Sequence, residues 1–480
     1  MIGIIGGGMG GLFAARSLAR AGHQVTIFEP DVASPATDAD DAFRTWRRPG
    51  VPQLRQPHSM RAIIRQLLMR RDPELWKNVL AKGMKEWDFH LYGVGEEPIQ
   101  HDPELIGMLG RRPTIEMAVR ETVTAMPNVS VVSKAIKDIV VTTIDGERRV
   151  TGVVTSDDQT ISCDYVVESS GRRSRIMEWI ERAGFGKPYE EAVQSGLICY
   201  SRYFRFNPGV SMPRGPYPSG PTATLPCVHY TMNRTDFETF SLMVYIAPWQ
   251  AEFKEIRHEA VFMNFMRSLP GVAEWLDPSK SSPIWKVEPF GGLVNRYRRF
   301  TENGKPMVPG LYIIGDARFH TNPFYGWGVA FALHQSYVLA DAFVGQGTAI
   351  ERQAKFEDEI SGYARKYYEA SVGEDTARIE LWKGEESDND RGEPDTYRYF
   401  LTTIAPTAFN DQVIFRNVMR RLHLLDHPGA ILKNEDVARR AEQHIASRVK
   451  THTREDMLRL AREAAAAAAF PDTARMMTVI

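Results

Sequence analysis

The sequence predicts an α/β protein with three parts: a Rossmann-like domain, an inserted α+β domain and a helical C-terminal region. Three observations predict this fold class. A glycine-rich segment follows a strand-like run at the N-terminus. Between Gly196 and Val287, alternating runs typical of strands replace the earlier α/β pattern. After Phe343 the pattern is helical, and it includes an alanine tract that strongly favours a helix.

The N-terminal segment fits a dinucleotide-binding fingerprint position by position. Gly6 permits the tight turn after the first strand, Gly8 lets the backbone approach a diphosphate, and Gly11 lets the next helix pack closely against the sheet. The amide groups at the start of the helix Leu12–Ala21 favour that diphosphate. Glu29 ends the second strand, eighteen residues after Gly11, and is placed to accept a hydrogen bond from a ribose hydroxyl.

A second segment points to the same type of cofactor. Gly310–Ala317 reads as a short strand followed by a Gly-Asp turn, as in the part of flavoproteins that holds the ribityl chain of FAD. Paired with the fingerprint about three hundred residues earlier, it predicts an FAD-binding Rossmann-like domain with non-covalent FAD. No second fingerprint follows a strand, so a separate NAD(P)H-binding Rossmann domain is not expected.

The pattern divides the chain into three predicted domains. The FAD-binding domain is discontinuous, comprising residues 1–185 and 305–345, and a substrate-binding β-sheet domain occupies residues 186–304. The helical C-terminal region covers residues 346–480. Within the first domain, residues 58–84 begin with helical spacing, and residues 91–100 look like a strand.

Composition limits the classes of function. With 43% apolar and 25% charged residues and a net charge of −1, the chain is typical of a globular protein and offers no case for nucleic-acid binding. No apolar run has the length of a membrane span, and the chain starts directly with a strand, so no signal peptide is expected. Its three cysteines form no CxxC pair, which fits a cytoplasmic location and argues against a disulfide-reducing flavoenzyme. The acidic cluster at residues 385–390 is expected to be a solvated loop.

Four stretches resemble the single-Rossmann FAD-dependent monooxygenases, which include aromatic hydroxylases and the squalene-epoxidase-like and polyketide-epoxidase enzymes. The resemblance covers about residues 1–345. Its stretches are the glycine fingerprint, Arg48–Gln53 with His58 beyond it, Asp164–Arg175, and Gly315–Ala317 followed by Pro323–Gly328.

The resemblance implies further cofactor contacts. Asp316 would accept hydrogen bonds from the ribityl hydroxyls. Gly326 and Gly328 would let backbone amides and a helix N-terminus face the flavin pyrimidine and favour its anionic reduced form. Arg112, and by similar reasoning Arg48, would lie near the FAD diphosphate. An ordinary ion pair is the alternative for each arginine.

The same resemblance indicates the substrate side of the site. Pro323, Phe324 and Trp327 are expected to border the substrate, with ordinary packing as the alternative. His320 is a candidate proton relay or a structural histidine. Four aromatic residues would line the inserted sheet or belong to its core: Tyr200, Phe204, Tyr245 and Trp285. No metal is expected, because the histidines show no ligand spacing.

The predicted function is that of an FAD-dependent monooxygenase. A C4a-(hydro)peroxyflavin formed with O2 would epoxidise or hydroxylate an apolar or aromatic small molecule. Ser170 precedes Gly171 where the hydroxylases have an Asp-Gly pair, so the reductant is either NAD(P)H directly or reduced flavin from a partner flavin reductase. The tryptophan-rich halogenase motif is absent, so halogenation is not expected.

Other readings stay open at this point. An FAD-dependent C=C reductase, or saturase, would share the domain plan and consume no O2 in coupled turnover. A reduced-flavin enzyme without net redox and a flavin-binding interaction protein are further alternatives. The C-terminal helices, about residues 435–470, could cover the active site, form a homodimer interface, bind a reductase or simply pack on the rest of the chain.

Overall fold

A computed structural model describes residues 1–31, 36, 38–89, 102–210, 220–384, 391–446 and 452–469. The strand predicted at residues 91–100 and the acidic loop predicted at residues 385–390 lie outside these ranges.

Strands and helices alternate in the first part of the described chain and give way to helices in the last. In chain order, the strands are β1 (Ile2–Ile5), β2 (Val25–Phe28), β3 (Ser59–Met60), β4 (Lys85–Asp88), β5 (Ile106–Leu109), β6 (Val129–Val132), β7 (Ile136–Ile144), β8 (Glu147–Thr155), β9 (Thr160–Ser162), β10 (Tyr165–Glu168), β11 (Tyr189–Gln194), β12 (Ile198–Phe206), β13 (Thr222–Leu225), β14 (Val228–Arg234), β15 (Thr239–Ile246), β16 (Ser281–Pro283), β17 (Glu288–Phe290), β18 (Val294–Arg299), β19 (Thr301–Glu302), β20 (Lys305–Pro306), β21 (Leu311–Ile313) and β22 (Phe319–His320). The helices are α1 (Met9–Arg20), α2 (Ala39–Thr45), α3 (Ala62–Arg71), α4 (Pro73–Ala81), α5 (Arg112–Thr124), α6 (Ile176–Arg182), α7 (Glu259–Ser268), α8 (Gly328–Val344), α9 (Ala349–Lys383), α10 (Tyr397–Tyr399), α11 (Ala405–Thr407), α12 (Gln412–Leu422), α13 (Glu435–Ile445) and α14 (Arg454–Ala469).

The central sheet is parallel and has five strands in the order β21-β10-β1-β2-β6. Its middle strands are short apolar runs that are buried on both faces, as expected for a sheet covered by helices. From β1 the chain continues to β2 on one side of this strand, whereas β10 pairs with β1 on the other side. A crevice therefore opens at the carboxyl end of β1, the usual place for a ligand in such a sheet.

The helical pattern predicted for residues 58–84 is divided into two helices. The first, α3, ends at Arg71, and α4 begins at Pro73. Proline lacks the N–H group that would continue a helix, but it suits a first helical position. The Asp72 carboxylate also caps α4, accepting a hydrogen bond from the Leu75 N–H at 3.2 Å. The proline and its cap explain the break.

The inserted sheet is antiparallel, with the strand order β13-β14-β15-β12-β16 and β17 also paired to β12. One face packs against α7 and α14, and its aromatic and aliphatic residues form a second core that includes Phe204, Phe240 and Leu242. The opposite face carries Cys199 and Tyr245, which pair across β12 and β15. The two faces of this sheet thus serve different neighbours.

A small three-stranded sheet, β11-β18-β22, joins the predicted domains. Strands β11 and β18 lie within the predicted substrate domain, whereas β22 lies in the second segment of the predicted FAD domain. Helix α9 packs against β18, so the C-terminal region meets the same junction. These elements form one continuous structure around the end of the central sheet.

The C-terminal helices begin with the long helix α9. A reciprocal capping box between Thr348 and Glu351 starts it, and Gly384 in the left-handed conformation ends it. Further along the chain, α14 packs on α7 through Met457 and Ala461. No helix in the described ranges combines the length and apolar character needed to cross a membrane.

Candidate active site

One cavity of about 860 Å³ runs from the carboxyl end of the central sheet to the inserted sheet. Its volume is within the range of small-molecule and cofactor sites. The first end is lined by the turn after β1, the end of β2 and the Gly-Asp turn after β21. The second end is lined by β12, β14, β15 and α12. The two sequence segments that predict FAD therefore open on the same space.

The three fingerprint glycines differ in their surroundings. Gly6 has φ +96°, and a β-carbon there would lie 2.7 Å from the Ser169 carbonyl oxygen. A β-carbon at Gly11 would lie 1.9 Å from the Gly6 carbonyl oxygen, so helix and turn are in direct contact. A β-carbon at Gly8 would meet no atom within 4 Å. Gly6 and Gly11 therefore allow close contacts within the fold, and Gly8 leaves open space beside the backbone.

The Glu29 carboxylate is buried at the edge of this first end. It accepts hydrogen bonds from the Gly7 N–H at 2.6 Å and the Asp31 N–H at 2.9 Å, and it pairs with Arg48 at 3.2 Å. A carboxylate has about four acceptor positions, so these three contacts leave capacity for a ligand hydroxyl. Glu29 also lines the cavity, as the ribose expectation requires.

Arg48 is held by carboxylates on several sides. Its guanidinium contacts Glu29 at 3.2 Å, Asp31 at 3.4 Å and Glu116 more closely still. The exposed fraction of its side chain is only 1%. Arg48 lines the cavity, but its charge is compensated by these acids, so the ion-pair alternative describes its contacts.

Arg112 is oriented by Glu116 and His58. Its Nε donates to Glu116 at 3.1 Å, and its Nη1 lies 3.4 Å from Nε2 of His58. Burial would raise the pKa of Glu116, but Arg112 and Arg48 outweigh burial and lower it. Burial, reinforced by Arg112, lowers the pKa of His58 to about 3, so the ring is neutral and its Nε2 can accept from Arg112. No partner for Nη2 of Arg112 is seen within the described chain.

The Gly-Asp turn also lines the first end of the cavity. Gly315 has φ +63°, and its N–H donates to the Gln335 side chain at 2.8 Å. Nδ1 of His320 lies 3.1 Å from the Asp316 carbonyl oxygen. Burial lowers the pKa of His320 to about 4, so Nδ1 carries the proton for this contact and the ring is neutral at pH 7. Asp316 and His320 both line the cavity.

A buried polar network fixes the loop from Asn322 to Gly328, which we call the flavin loop. The Asn322 side chain caps the Phe324 N–H at 3.0 Å and donates to Asp375 of α9 at 2.8 Å. Asp375 also accepts from Asn295 at 2.7 Å and from Arg378 at 2.7 Å. The loop therefore takes its shape from a helix that begins after it in the chain.

The start of α8 completes this wall. Gly328 is the first residue of the helix, and Gly328, Val329 and Ala332 line the cavity. The atom nearest to a β-carbon at Gly328 would be Oδ1 of Asp316, at 3.9 Å. Gly326 has φ +63°. The helix N-terminus, with its unpaired amides, thus begins beside the Gly-Asp turn.

Pro323 and Phe324 line the cavity, but Trp327 does not. The Trp327 indole is 1% exposed, stacks on Tyr325 at 4.6 Å between ring centroids and donates to the Leu422 carbonyl at 3.0 Å. Ordinary packing, the alternative expected for Trp327, therefore describes its contacts. The acceptor of its hydrogen bond comes from the C-terminal region, and the local sequence does not identify this partner.

The four aromatic candidates on the inserted sheet also separate. Tyr245 lines the cavity and meets Phe324 edge to face, with 5.0 Å between ring centroids. Tyr200 and Phe204 alternate with Cys199 along β12, so they point to the opposite face, and neither lines the cavity. Trp285 lines a separate shallow depression with Arg47 and Arg202. Only Tyr245 among the four is at the site.

Helix α12 contributes residues that sequence reasoning missed. Phe415, Met419 and Leu422 lie along one helix face, and they line the cavity together with His423. Arg61, just before α3, is a further lining residue. The spacing of the three apolar residues indicates an inward face, but nothing in the sequence says which cavity that face meets.

Residues 4–39 match the family described as NAD(P)-binding Rossmann-like domain, and residues 108–199 match the family described as Glucose inhibited division protein A. A relative named Protein Rv3254, from Mycobacterium tuberculosis (strain ATCC 25618 / H37Rv), is 28% identical over 230 residues. That match covers 43% of this chain and 45% of the relative, so the chain spans less than half of its length.

Solved structures resemble the whole architecture at low identity. The flavin-dependent brominase Bmp2 has a TM-score of 0.57 at 17% identity, covering 93% of this chain and 98% of that one. PqsL, a probable FAD-dependent monooxygenase from Pseudomonas aeruginosa, has a TM-score of 0.56 at 15% identity, covering 80% and 98%. The chain has the fold of the FAD-dependent monooxygenases. The anhydrotetracycline hydroxylase OxyS from Streptomyces rimosus has a TM-score of 0.56 at 14% identity, covering 88% and 76%.

Proposed function

We propose that this protein is an FAD-dependent monooxygenase that hydroxylates or epoxidises an apolar or aromatic small molecule. The observation that carries the proposal is the course of the cavity. It begins at the glycine fingerprint, passes the Gly-Asp turn and the start of α8, and ends between the inserted sheet and α12. A long cofactor and an apolar substrate would meet where the flavin loop lies.

The residues at the first end fit FAD. The open space beside Gly8 and the first amides of α1 would receive the diphosphate, with Arg112 beside it. Glu29 would accept from the ribose and Asp316 from the ribityl hydroxyls. Gly326, Gly328 and the start of α8 would face the pyrimidine ring. Arg48 would act indirectly, by holding Glu29 and Glu116 in place.

At the second end, the protein's task is to exclude water and position the substrate. When bound and reduced, FAD supplies the activation of O2. Pro323 and Phe324 would border the reacting part of the substrate, and the apolar residues of α12 would shield it from water. His320 is neutral and holds the turn that carries Asp316. We assign His320 a positioning role. Its Nε2 carries no proton in the neutral ring and is therefore the atom available to accept one.

The domain boundaries and the reductant belong to the same proposal. We place the FAD-binding domain at residues 1–185 and 305–345, the substrate domain at 186–304 and the helical region at 346–480. Either NAD(P)H or reduced flavin from a partner reductase would deliver the electrons to the FAD. Ser170, two residues after β10, supports the partner reductase, because it replaces an acid that the resemblance associates with NAD(P)H use.

The experiment follows the flavin spectrum after anaerobic photoreduction and rapid mixing with oxygenated buffer. We expect a transient species whose spectrum differs from those of the reduced and the oxidised flavin. Bound substrate should lengthen the lifetime of this species. Oxygen uptake should then rise with substrate concentration. Direct return to the oxidised spectrum under all conditions, together with reduction of a C=C bond without O2, would instead establish the saturase.

A further inference from the structure

Arg61 is a buried cation in the cavity wall without an acidic partner in the described chain. It is 7% exposed. Its Nε donates to the Tyr325 carbonyl oxygen at 2.9 Å, Nη2 donates to the same oxygen, and Nη1 lies 3.4 Å from the Ser59 hydroxyl. These partners are neutral. Arg48 and Arg112, which line the other end of the cavity, both have carboxylate partners.

The groups facing Arg61 leave its charge uncompensated. Nδ1 of His423 accepts from the Ala62 N–H at 3.0 Å, so this atom carries no proton. Burial and the charge of Arg61 both lower the pKa of His423. Tyr245 is also neutral, because burial raises the pKa of its hydroxyl. Burial lowers the pKa of Arg61 itself to about 10, which leaves it charged at pH 7. A buried charge of this kind is stable only when an opposite charge accompanies it.

No carboxylate is seen among the described residues that line the second end of the cavity. The acids that line the cavity are Glu29, Asp31 and Asp316, and all three belong to the end formed by the central sheet. The inserted sheet and α12 contribute apolar and neutral polar groups and one further cation: Cys199, Thr222, His229, Thr231, Asn233, Arg234, Met243, Tyr245, Phe415, Met419 and Leu422. Since the described wall supplies no anion at this end, the ligand would supply it.

We infer that Arg61 binds a carboxylate of the substrate, which makes the substrate an apolar or aromatic carboxylic acid. This inference rests on the proposed function and names its substrate class. Arg61 uses three of its five N–H groups on Tyr325 and Ser59, and two remain, the number that a bidentate carboxylate takes. Its contacts with the flavin loop place the carboxylate close to Phe324. The apolar body of the substrate would then extend between Tyr245 and α12.

Gly326 makes this position of Arg61 sterically accessible. A β-carbon at Gly326 would lie 2.7 Å from Nη2 of Arg61. The glycine thus has a second role beside its left-handed backbone, since it admits the guanidinium against the flavin loop. Substrate anchoring and flavin loop geometry are coupled through this contact.

The test compares two probes of nearly the same shape, biphenyl-4-carboxylate and the uncharged biphenyl-4-carboxamide. Their dissociation constants are measured by calorimetry on the full-length protein as purified, with its FAD oxidised. The wild type should bind the carboxylate more tightly than the amide by about 30-fold, as expected for a buried, hydrogen-bonded charge pair. Arg61→Gln should abolish this preference, and Arg61→Lys should retain part of it. Arg182→Gln, at an exposed arginine that does not line the cavity, is the control and should keep the preference within about twofold.

Several results would overturn the inference. These are equal binding of both probes by the wild type, no binding of the carboxylate, or a preference that survives Arg61→Gln. If the preference survives and the midpoint potential of the FAD falls instead, the anion next to Arg61 is the reduced flavin. The calorimetric comparison of the two probes uses neither O2 nor a reductant, so it can be interpreted even if the monooxygenase test fails. Unchanged flavin absorbance and thermal midpoint in the variants show that they are folded.

Discussion

At the scale of single residues, the fingerprint glycines predict opposite responses to the same substitution. Gly11→Ala would force a methyl group to within 1.9 Å of the Gly6 carbonyl oxygen. The free energy of unfolding should fall by about 3 kcal/mol, or the chain should fail to fold. Gly8→Ala meets no atom within 4 Å and has an extended backbone that alanine adopts, so the loss should stay within about 1 kcal/mol. Urea unfolding of the protein stripped of flavin measures both.

The same pair of variants tests the cofactor assignment. Gly8→Ala should weaken FAD binding by about tenfold or more, because the methyl group would occupy the space proposed for the diphosphate. Fluorescence titration with FAD gives the dissociation constant. If Gly8→Ala bound FAD as the wild type does, the diphosphate would have to lie elsewhere.

Residues in local motifs were predictable from the sequence, and residues fixed by distant contacts were not. The surroundings of Gly11 follow from the local turn and its helix, so a fingerprint of a few residues contains them. The buried position of Trp327 depends on its hydrogen bond to the Leu422 carbonyl, which lies in another part of the chain. The role inferred for Arg61 depends on its position beside the neutral His423 and on the absence of acids in the described wall around it. No local sequence pattern encodes these surroundings.

At the scale of elements, helix α9 acts on the cavity through Asp375, which it contributes to the flavin loop. Asp375→Asn would remove a charge that four buried side chains contact: Asn295, Asn322, Tyr325 and Arg378. The free energy of unfolding should fall by about 3 kcal/mol, since Arg378 would be left as a buried charge without its partner. Urea unfolding at constant pH measures this change.

A matched control lies on the same helix. Glu369 pairs with Arg365 at 2.6 Å, but its side chain is 58% exposed. Glu369→Gln should therefore cost less than about 1 kcal/mol. Turnover should fall in Asp375→Asn and not in Glu369→Gln, because only the first displaces the flavin loop. Equal effects of both substitutions would contradict this role of α9.

Element types were predicted well where periodicity was strong. The sequence pattern predicts a helix at residues 114–125 and strands at residues 197–206 and 240–246. Helix α5 and strands β12 and β15 agree closely with these ranges, because each has a clear apolar pattern. The break at Pro73 was missed, although proline after a capping residue is a local signal. Which face of the inserted sheet meets the cavity could not be predicted, because both faces of β12 carry aromatic residues.

At the scale of the whole molecule, buried neutral histidines predict a loss of stability in mild acid. Burial lowers the pKa of His58 to about 3 and that of His320 to about 4. Below the ordinary pKa of 6.5, the unfolded chain binds protons at these rings and the folded protein does not. The free energy of unfolding should therefore fall as the pH decreases from about 6.5 to 4, by about 1.4 kcal/mol per pH unit for each such ring.

Urea unfolding between pH 4.5 and 7 measures this slope. His320→Gln should reduce it by the contribution of one ring, because glutamine does not titrate. A slope that is unchanged in this variant would show that His320 takes up its proton in the folded state. The experiment therefore reports directly on the ring that holds the Asp316 turn.

The order of strands in the central sheet also determines when the protein can mature. Strands β1, β2, β6 and β10 leave the ribosome long before β21, which pairs with β10. Until then β10 is an open, apolar edge that can pair with another nascent chain. The Gly-Asp turn and the start of α8 emerge later still, and they are followed by α9, which holds the flavin loop, and α12, which lines the cavity. The proposed site is therefore complete only after residue 422 has been synthesised. Cofactor loading is therefore a late event in biosynthesis, and a chain truncated before β21 should aggregate rather than wait for its flavin.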